Sequence, residues 1–129
     1  MACPYFCPTA RFETSPWSVP PRLPLGDAFA GECRAPGNTV QPDEARTREL
    51  CNLGYGRGRC EQFPAASAVD AVRFHIAKDA GESIELQYVF EKGCWPGEQG
   101  TVDFSTASDT LRRQANAFLD SYLRRRDRT

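Results

Sequence analysis

This chain of 129 residues has one histidine and one methionine, and it lacks a long apolar stretch. No stretch approaches the roughly 20 apolar residues of a transmembrane helix, so a membrane-spanning protein is not expected. Its amino terminus has no basic start, no apolar run and no small-residue cleavage site, so it does not resemble a secretory signal. We therefore expect a cytosolic protein with no membrane partner.

A large excess of positive or negative charge is also lacking, because the net charge is only −1. Residues 1–64 are neutral, residues 65–105 carry −4 and residues 106–129 carry +3. This balance argues against a chain that binds polyanions over its whole surface. Nucleic acid is therefore the less favoured partner, and we interpret the arginines near the end of the chain as a solvated helix terminus. They are Arg124, Arg125, Arg126 and Arg128.

Cysteine, in contrast, is abundant, with six residues in a short chain. In a reducing cytosol such a pattern indicates metal binding or catalysis before disulfides. Disulfides in an exported protein and unconnected structural thiols are the alternatives. No Cys-x-x-Cys pair occurs, so the usual signatures of zinc ribbons and ferredoxins are missing. An iron–sulfur cubane tolerates dispersed ligands, because each of its irons accepts one thiolate.

The first half of the chain contains most of these cysteines and most of the prolines. Five of the six cysteines lie within residues 1–64, and seven of the ten prolines lie within residues 1–40. Because proline excludes long helices and central strands, we predict an irregular segment that a bound metal holds in place. One helix is predicted at residues 42–52, with Cys51 in its last turn and Gly54 as its cap. The glycine-rich residues 54–59 could then direct backbone N–H groups at a sulfur cluster.

The second half shows regular periodicity. Alternating apolar residues predict antiparallel strands at 72–76 and 84–90, and a third strand is predicted at 101–105. Thr106 and Asp109 resemble a capping box, and apolar residues then repeat at helical spacing as far as Leu123. The predicted class is α+β, in one domain at 1–129. Its parts are a cysteine-rich half at 1–64 and a β-meander with a closing amphipathic helix at 65–129.

Three phrases resemble a group of small, uncharacterised bacterial proteins that share a cysteine motif. They are CPYF at 3–6, RLPLGD at 22–27 with Gly31 and Cys33 following, and CNLGY at 51–55 leading to Cys60. The similarity covers residues 3–76. The recurring cysteines of that group correspond to Cys3, Cys33, Cys51 and Cys60, and the resemblance implies no established activity.

This quartet is the predicted ligand set, with Cys7 as a substitute because it is near Cys3. The leading hypothesis is a [4Fe–4S] cluster in electron transfer or redox sensing, which requires a protein redox partner. The alternative is a structural zinc ion on the same four cysteines, in a module that binds nucleic acid or a protein. Enzyme activity is not favoured, because four thiolates leave zinc no open position for water. The sequence does not define the oligomeric state.

Several other residues carry expectations about their surroundings. We expect His75, the single histidine, on the surface, and Cys94 buried as a small apolar residue. Arginines near the cysteines could contact phosphate or balance the charge of a cluster. They are Arg11, Arg22, Arg34, Arg57 and Arg59. Aromatic residues and a proline are expected to exclude water from the site, namely Pro4, Tyr5, Phe6, Trp17, Tyr55 and Trp95.

Overall fold

The fold combines a two-stranded sheet, a three-stranded sheet, a short helix and a long C-terminal helix. It is seen in a computed structural model that describes residues 2–12, 25, 28–35, 39–64 and 66–127. This arrangement is α+β, and the predicted class is confirmed. No helix in the described part of the chain has the length and apolar character needed to cross a membrane.

The smaller sheet pairs strand β1 (Phe6–Arg11) with strand β2 (Phe29–Cys33) in antiparallel fashion. The prediction of a wholly irregular segment is therefore wrong here. Pro8 is tolerated because both strands of a two-stranded sheet are edges, and the register shifts between Pro8 and Ala10. Gly31, opposite Pro8, allows a close approach, since a Cβ there would collide with the backbone carbonyl of Cys7.

The predicted helix at 42–52 exists, but its second part is not α-helical. Helix α1 (Glu44–Arg46) continues directly into a π-helical turn at Thr47–Cys51. The Asp43 side chain caps α1 by accepting a 2.7 Å hydrogen bond from the Arg46 N–H. The segment ends as predicted, because Gly54 has the left-handed φ of 80°.

The larger sheet has the order β3–β4–β5, with every neighbouring pair antiparallel. Strands β3 (Ala71–Asp79) and β4 (Ile84–Lys92) lie where the apolar alternation predicts them. Strand β5 lies at Trp95–Thr101, so the prediction of 101–105 is wrong. A tight turn causes the difference: Gly93 and Cys94 have φ values of 56° and 69°, which suit a two-residue hairpin connection.

Helix α2 (Asp109–Asp127) contacts both sheets, through β1 of the smaller sheet and β4 of the larger one. It begins after Ser108, whose Oγ accepts the Leu111 N–H, and the predicted capping box at Thr106 is wrong. The Thr106 N–H instead donates to the Asp103 carbonyl in the preceding turn. The Phe118 ring lies 5.8 Å from the ring of Phe74 on β3.

The core lies between α2 and the two sheets and draws residues from both halves of the chain. Its buried members are Ala2, Phe6, Leu25, Phe29, Cys51, Val72, Phe74, Leu86, Val102, Ala115 and Ala117.

Candidate metal centre

The four predicted cysteines line a single pocket in the N-terminal half of the chain. Four separate segments provide Cys3, Cys33, Cys51 and Cys60 to its wall. No three His, Cys, Asp or Glu side chains of the described ranges stand in positions that could hold one metal ion. All six cysteines are free thiols. The structure thus brings the quartet together as thiols around one pocket, and their role as ligands stays a prediction.

Backbone hydrogen bonds tie the four segments to one another or close them locally. The Cys3 N–H donates to the Cys51 carbonyl at 3.1 Å, which joins two of the predicted ligand segments directly. Cys33 ends β2 and exchanges both of its backbone hydrogen bonds with Val40. The Cys60 N–H donates to the Gly56 carbonyl at 2.7 Å and so closes the glycine-rich loop. The chain therefore fixes the backbone at each cysteine.

The remaining wall of the pocket is mostly apolar. The Tyr5 and Phe63 rings meet edge to face with their centroids 5.6 Å apart. An apolar wall lowers the local dielectric constant and so strengthens every electrostatic interaction inside the pocket. The apolar and aromatic lining residues are Tyr5, Phe6, Ala35, Val40, Pro42, Leu50 and Phe63.

Only part of the predicted aromatic surroundings lines this pocket. Tyr55 turns away and donates its hydroxyl to a Glu91 carboxylate oxygen at 2.8 Å. Trp95 is 77% exposed on β5, and Pro4 lines a different cavity. The prediction of six water-excluding residues is therefore wrong for these three. Trp17 lies outside the described residues.

Burial makes two of the thiols hard to ionise. It raises the pKa of Cys3 and of Cys51 to about 12, and repulsion from Cys33 and Cys60, when these are ionised, adds to the rise at both. The backbone N–H groups of Tyr5 and Phe6 oppose the rise in the pKa of Cys3, and the Phe6 N–H also donates to the Cys3 carbonyl at 3.1 Å. Both thiols are thus protonated at neutral pH, and a metal that binds them must displace the protons.

The glycine-rich loop was expected to direct its N–H groups at sulfur, but two of these groups bind a backbone carbonyl instead. The N–H groups of Arg59 and Cys60 both donate to the Gly56 carbonyl, at 2.9 and 2.7 Å. Gly56 serves the site in another way, because it lets the chain pass close to Cys60. A Cβ on Gly56 would lie 3.3 Å from the Cβ of Cys60.

The two other cysteines lie away from the pocket wall. Cys7 is buried on β1, and burial raises its pKa. The charged groups that act on it are Arg34, Arg113, Glu32 and Asp109, rather than the quartet. Cys94 is exposed, so the expectation of burial is wrong: the residue occupies the β4–β5 turn. His75 is exposed, as predicted.

Among the described residues that line the pocket, the charged one is Arg46, which sequence reasoning missed. Its side chain lines the pocket, and attraction to the Cys60 thiolate is the main cause that raises the pKa of Arg46. The arginines expected to balance charge include two that pair elsewhere, Arg34 with Glu32 and Arg57 with Asp70. In an α-helix, residues 46 and 51 would point about 140° apart. Helical periodicity therefore gave no signal for Arg46.

Comparisons of the chain with protein-family models, with curated proteins and with solved structures find no match. The resemblance to the bacterial cysteine-motif group therefore remains a prediction, which rests on the quoted motifs alone.

Proposed function

We propose that the chain binds a [4Fe–4S] cluster through Cys3, Cys33, Cys51 and Cys60, and that it acts in electron transfer or redox sensing in the cytosol. One observation carries the proposal: four thiols from four segments converge on one mostly apolar pocket. A cubane needs this donor set, since each of its irons takes one thiolate. When bound, the cluster supplies one-electron redox chemistry, and the partner is a redox protein.

The residues around the pocket have defined tasks in this proposal. The rings of Tyr5, Phe6 and Phe63 limit the access of water to the sulfur atoms. The N–H groups of Tyr5 and Phe6 lower the pKa of Cys3 and so favour negative charge on its sulfur. Hydrogen bonds to sulfur and solvent exposure are the main levers by which a protein sets a cluster's reduction potential. The pocket therefore contains groups that would tune such a cluster.

The second candidate function is a structural zinc module on the same four cysteines. Four thiolates close a tetrahedral zinc site without leaving a position for water. The four cysteines line one pocket, but they would have to draw closer around the ion, because no three His, Cys, Asp or Glu side chains of the described residues could hold one ion as they stand. In this case the metal stabilises the loops of the N-terminal half, and the function lies in a surface that binds a protein or a nucleic acid.

Metal and acid-labile sulfide analysis of protein purified without oxygen separates the two candidates. About four irons and four sulfides per chain, with a visible absorption band, would support the cluster. One zinc per chain without sulfide would support the structural module. Protein that contains neither, even after anaerobic reconstitution with iron and sulfide or with zinc, would contradict both.

A further inference from the structure

We propose that Arg46 raises the reduction potential of the cluster by holding its positive charge beside the Cys60 side of the pocket. This inference rests on the proposed function. Of the described residues that line the pocket, Arg46 is the one that carries a full charge at neutral pH in the metal-free chain. It is therefore the residue through which the protein can add charge to the site directly.

The helix fixes the position of Arg46 relative to the cysteines. Its N–H is capped by Asp43 at 2.7 Å, and the residue ends α1 where the π-turn begins. A π-turn closes its hydrogen bonds five residues along the chain, here from the Asn52 N–H to the Thr47 carbonyl at 3.1 Å. Residues five apart are thereby brought towards one face, so Arg46 and Cys51 both line the pocket.

Electrostatics gives the direction of the effect. A cubane held by four thiolates carries net negative charge, and it becomes more negative when it accepts one electron from the partner protein. A fixed cation therefore stabilises the reduced cluster more than the oxidised one. The Arg46 side chain is 26% exposed, so solvent screens its charge only in part.

Glu61 opposes this effect. Its carboxylate lies 3.3 Å from the Arg46 guanidinium, directly after Cys60 in the chain, and its side chain is 79% exposed. A negative charge at this position offsets part of the positive charge of Arg46. Removal of the two charges should therefore move the potential in opposite directions, with the smaller change for the exposed Glu61.

The test is a potentiometric titration of the iron-loaded protein and its variants. For Arg46→Gln we expect about a tenfold lower ratio of reduced to oxidised cluster at a fixed potential, which is about 59 mV for one electron. Arg46→Lys should restore most of the shift, because it keeps the charge. The matched control is Arg48→Gln, two residues away on the same segment. Arg48 pairs with Glu49 at 3.6 Å and does not line the pocket.

Each outcome has a distinct meaning. Equal shifts in Arg46→Gln and Arg48→Gln would overturn the role of Arg46 and leave the cluster proposal intact. If Arg46→Gln fails to retain iron, the reduction potentials of Arg46→Lys and Glu61→Gln test the inference instead. A potential in Glu61→Gln that does not rise would overturn the inference, and a rise with a near-native value in Arg46→Lys would support it. Wild-type protein without iron and sulfide would overturn the proposed function and this inference together.

Discussion

The two sheets of this molecule are held in place by different kinds of interaction. Strands β3, β4 and β5 form long antiparallel ladders whose apolar side chains, such as Phe74 and Leu86, enter the core. The β1–β2 sheet also contributes Phe6 and Phe29 to the core, but buried amide side chains join this sheet and the pocket to distant backbone as well. Asn52 bonds to Phe29 and to the Thr47 carbonyl, and Gln114 donates to the Cys3 and Phe6 carbonyls.

This difference shows where each half obtains its order. In the sheet of β3–β5, several apolar side chains contribute to the core, so removing one side chain by substitution leaves the contacts of the others in place. In the described part of the N-terminal half, fewer residues form sheet ladders, and the cysteine pocket and a few hydrogen bonds join short segments in addition to their shared core contacts. We therefore expect that half to depend on single residues and on the metal.

The largest effect should come from the quartet itself. Cys51→Ser is expected to lower metal affinity more than about 100-fold, because loss of a ligand should exceed the effect of a substitution around it. Metal loss should also unfold the segments around the pocket, because the free energy of metal binding stabilises the folded form of the loops that hold the metal. Metal analysis and hydrogen exchange by mass spectrometry would show this, with protection lost in residues 2–64 and kept in β3, β4 and α2.

The other cysteines provide matched controls for that experiment. Cys94→Ser changes an exposed thiol, and Cys7→Ser changes a buried thiol outside the pocket wall. Both variants should keep their full metal content. Full metal content in Cys33→Ser would contradict the proposed ligand set, and metal loss in Cys7→Ser would add Cys7 to it.

A substitution in the larger sheet should have the opposite pattern. Leu86 on β4 is 2% exposed, and Leu86→Ala should lower the free energy of unfolding by about 2–5 kcal/mol through the cavity that it leaves. Metal content at neutral pH should not change. Urea unfolding measures the first effect and metal analysis the second. Trp95→Ala is the control, because Trp95 is 77% exposed and should contribute less than about 0.5 kcal/mol. Metal loss in Leu86→Ala would break the distinction between the two halves.

Asn52→Ala should combine a smaller loss of stability with a loss of metal. Its side chain is 1% exposed and makes three hydrogen bonds of 2.9–3.0 Å, two to Phe29 and one to the Thr47 carbonyl. Without it these backbone groups lose their partner, at a cost of about 1–3 kcal/mol. The π-turn that carries Cys51 loses its link to β2, so metal content should fall.

A substitution on the β1–β2 sheet, to which Asn52 binds, separates this link from a general effect. Thr9 donates to the Ala30 carbonyl at 3.3 Å from the exposed side of β1, so Thr9→Ala should change stability by less than about 0.5 kcal/mol. Unfolding curves and metal analysis of both variants test the idea. Asn52→Ala with native metal content would show that Cys51 does not depend on the Asn52 link.

The same contrast explains which parts of the fold the sequence predicts. Strands β3 and β4 and helix α2 follow from local apolar periodicity, which is visible in a short window of sequence. The pairing of β1 with β2 depends on contacts between residues 18 to 27 positions apart, such as Phe6 with Cys33, and Pro8 makes β1 hard to recognise as a strand. The start of β5 depends on an unusual turn, in which Cys94 has a positive φ.

The candidate site shows a similar division. Cysteine spacing and the resemblance identify four residues that the structure places around one pocket. Neither could identify Arg46, because its position relative to Cys51 depends on a π-turn that α-helical periodicity does not predict. The aromatic surroundings were partly mispredicted for a related reason. Closeness to a cysteine in sequence, as for Trp95 and Cys94, does not indicate closeness to the pocket.

The smallest expected effect concerns the far end of the β3–α2 contact, at Asp79. Its carboxylate accepts hydrogen bonds from the Tyr122 hydroxyl, the Gly81 N–H and the Arg126 guanidinium, and these hold its pKa at about 2. The ordinary value is 3.8, so the folded chain prefers the ionised carboxylate. The resulting stability is fully present above about pH 4 and is lost as the pH falls towards 2.

Asp79→Asn removes this titration and should lower the thermal midpoint slightly at pH 6. The difference from wild type should shrink between pH 4 and pH 2, because the wild-type carboxyl then becomes neutral as well. Thermal unfolding of both proteins, each prepared without metal, measures the difference without interference from acid release of the metal. A difference that stays constant over this range would show that Asp79 does not stabilise the contact through its charge. Metal content at pH 7 should be the same in both proteins, because Asp79 does not line the cysteine pocket.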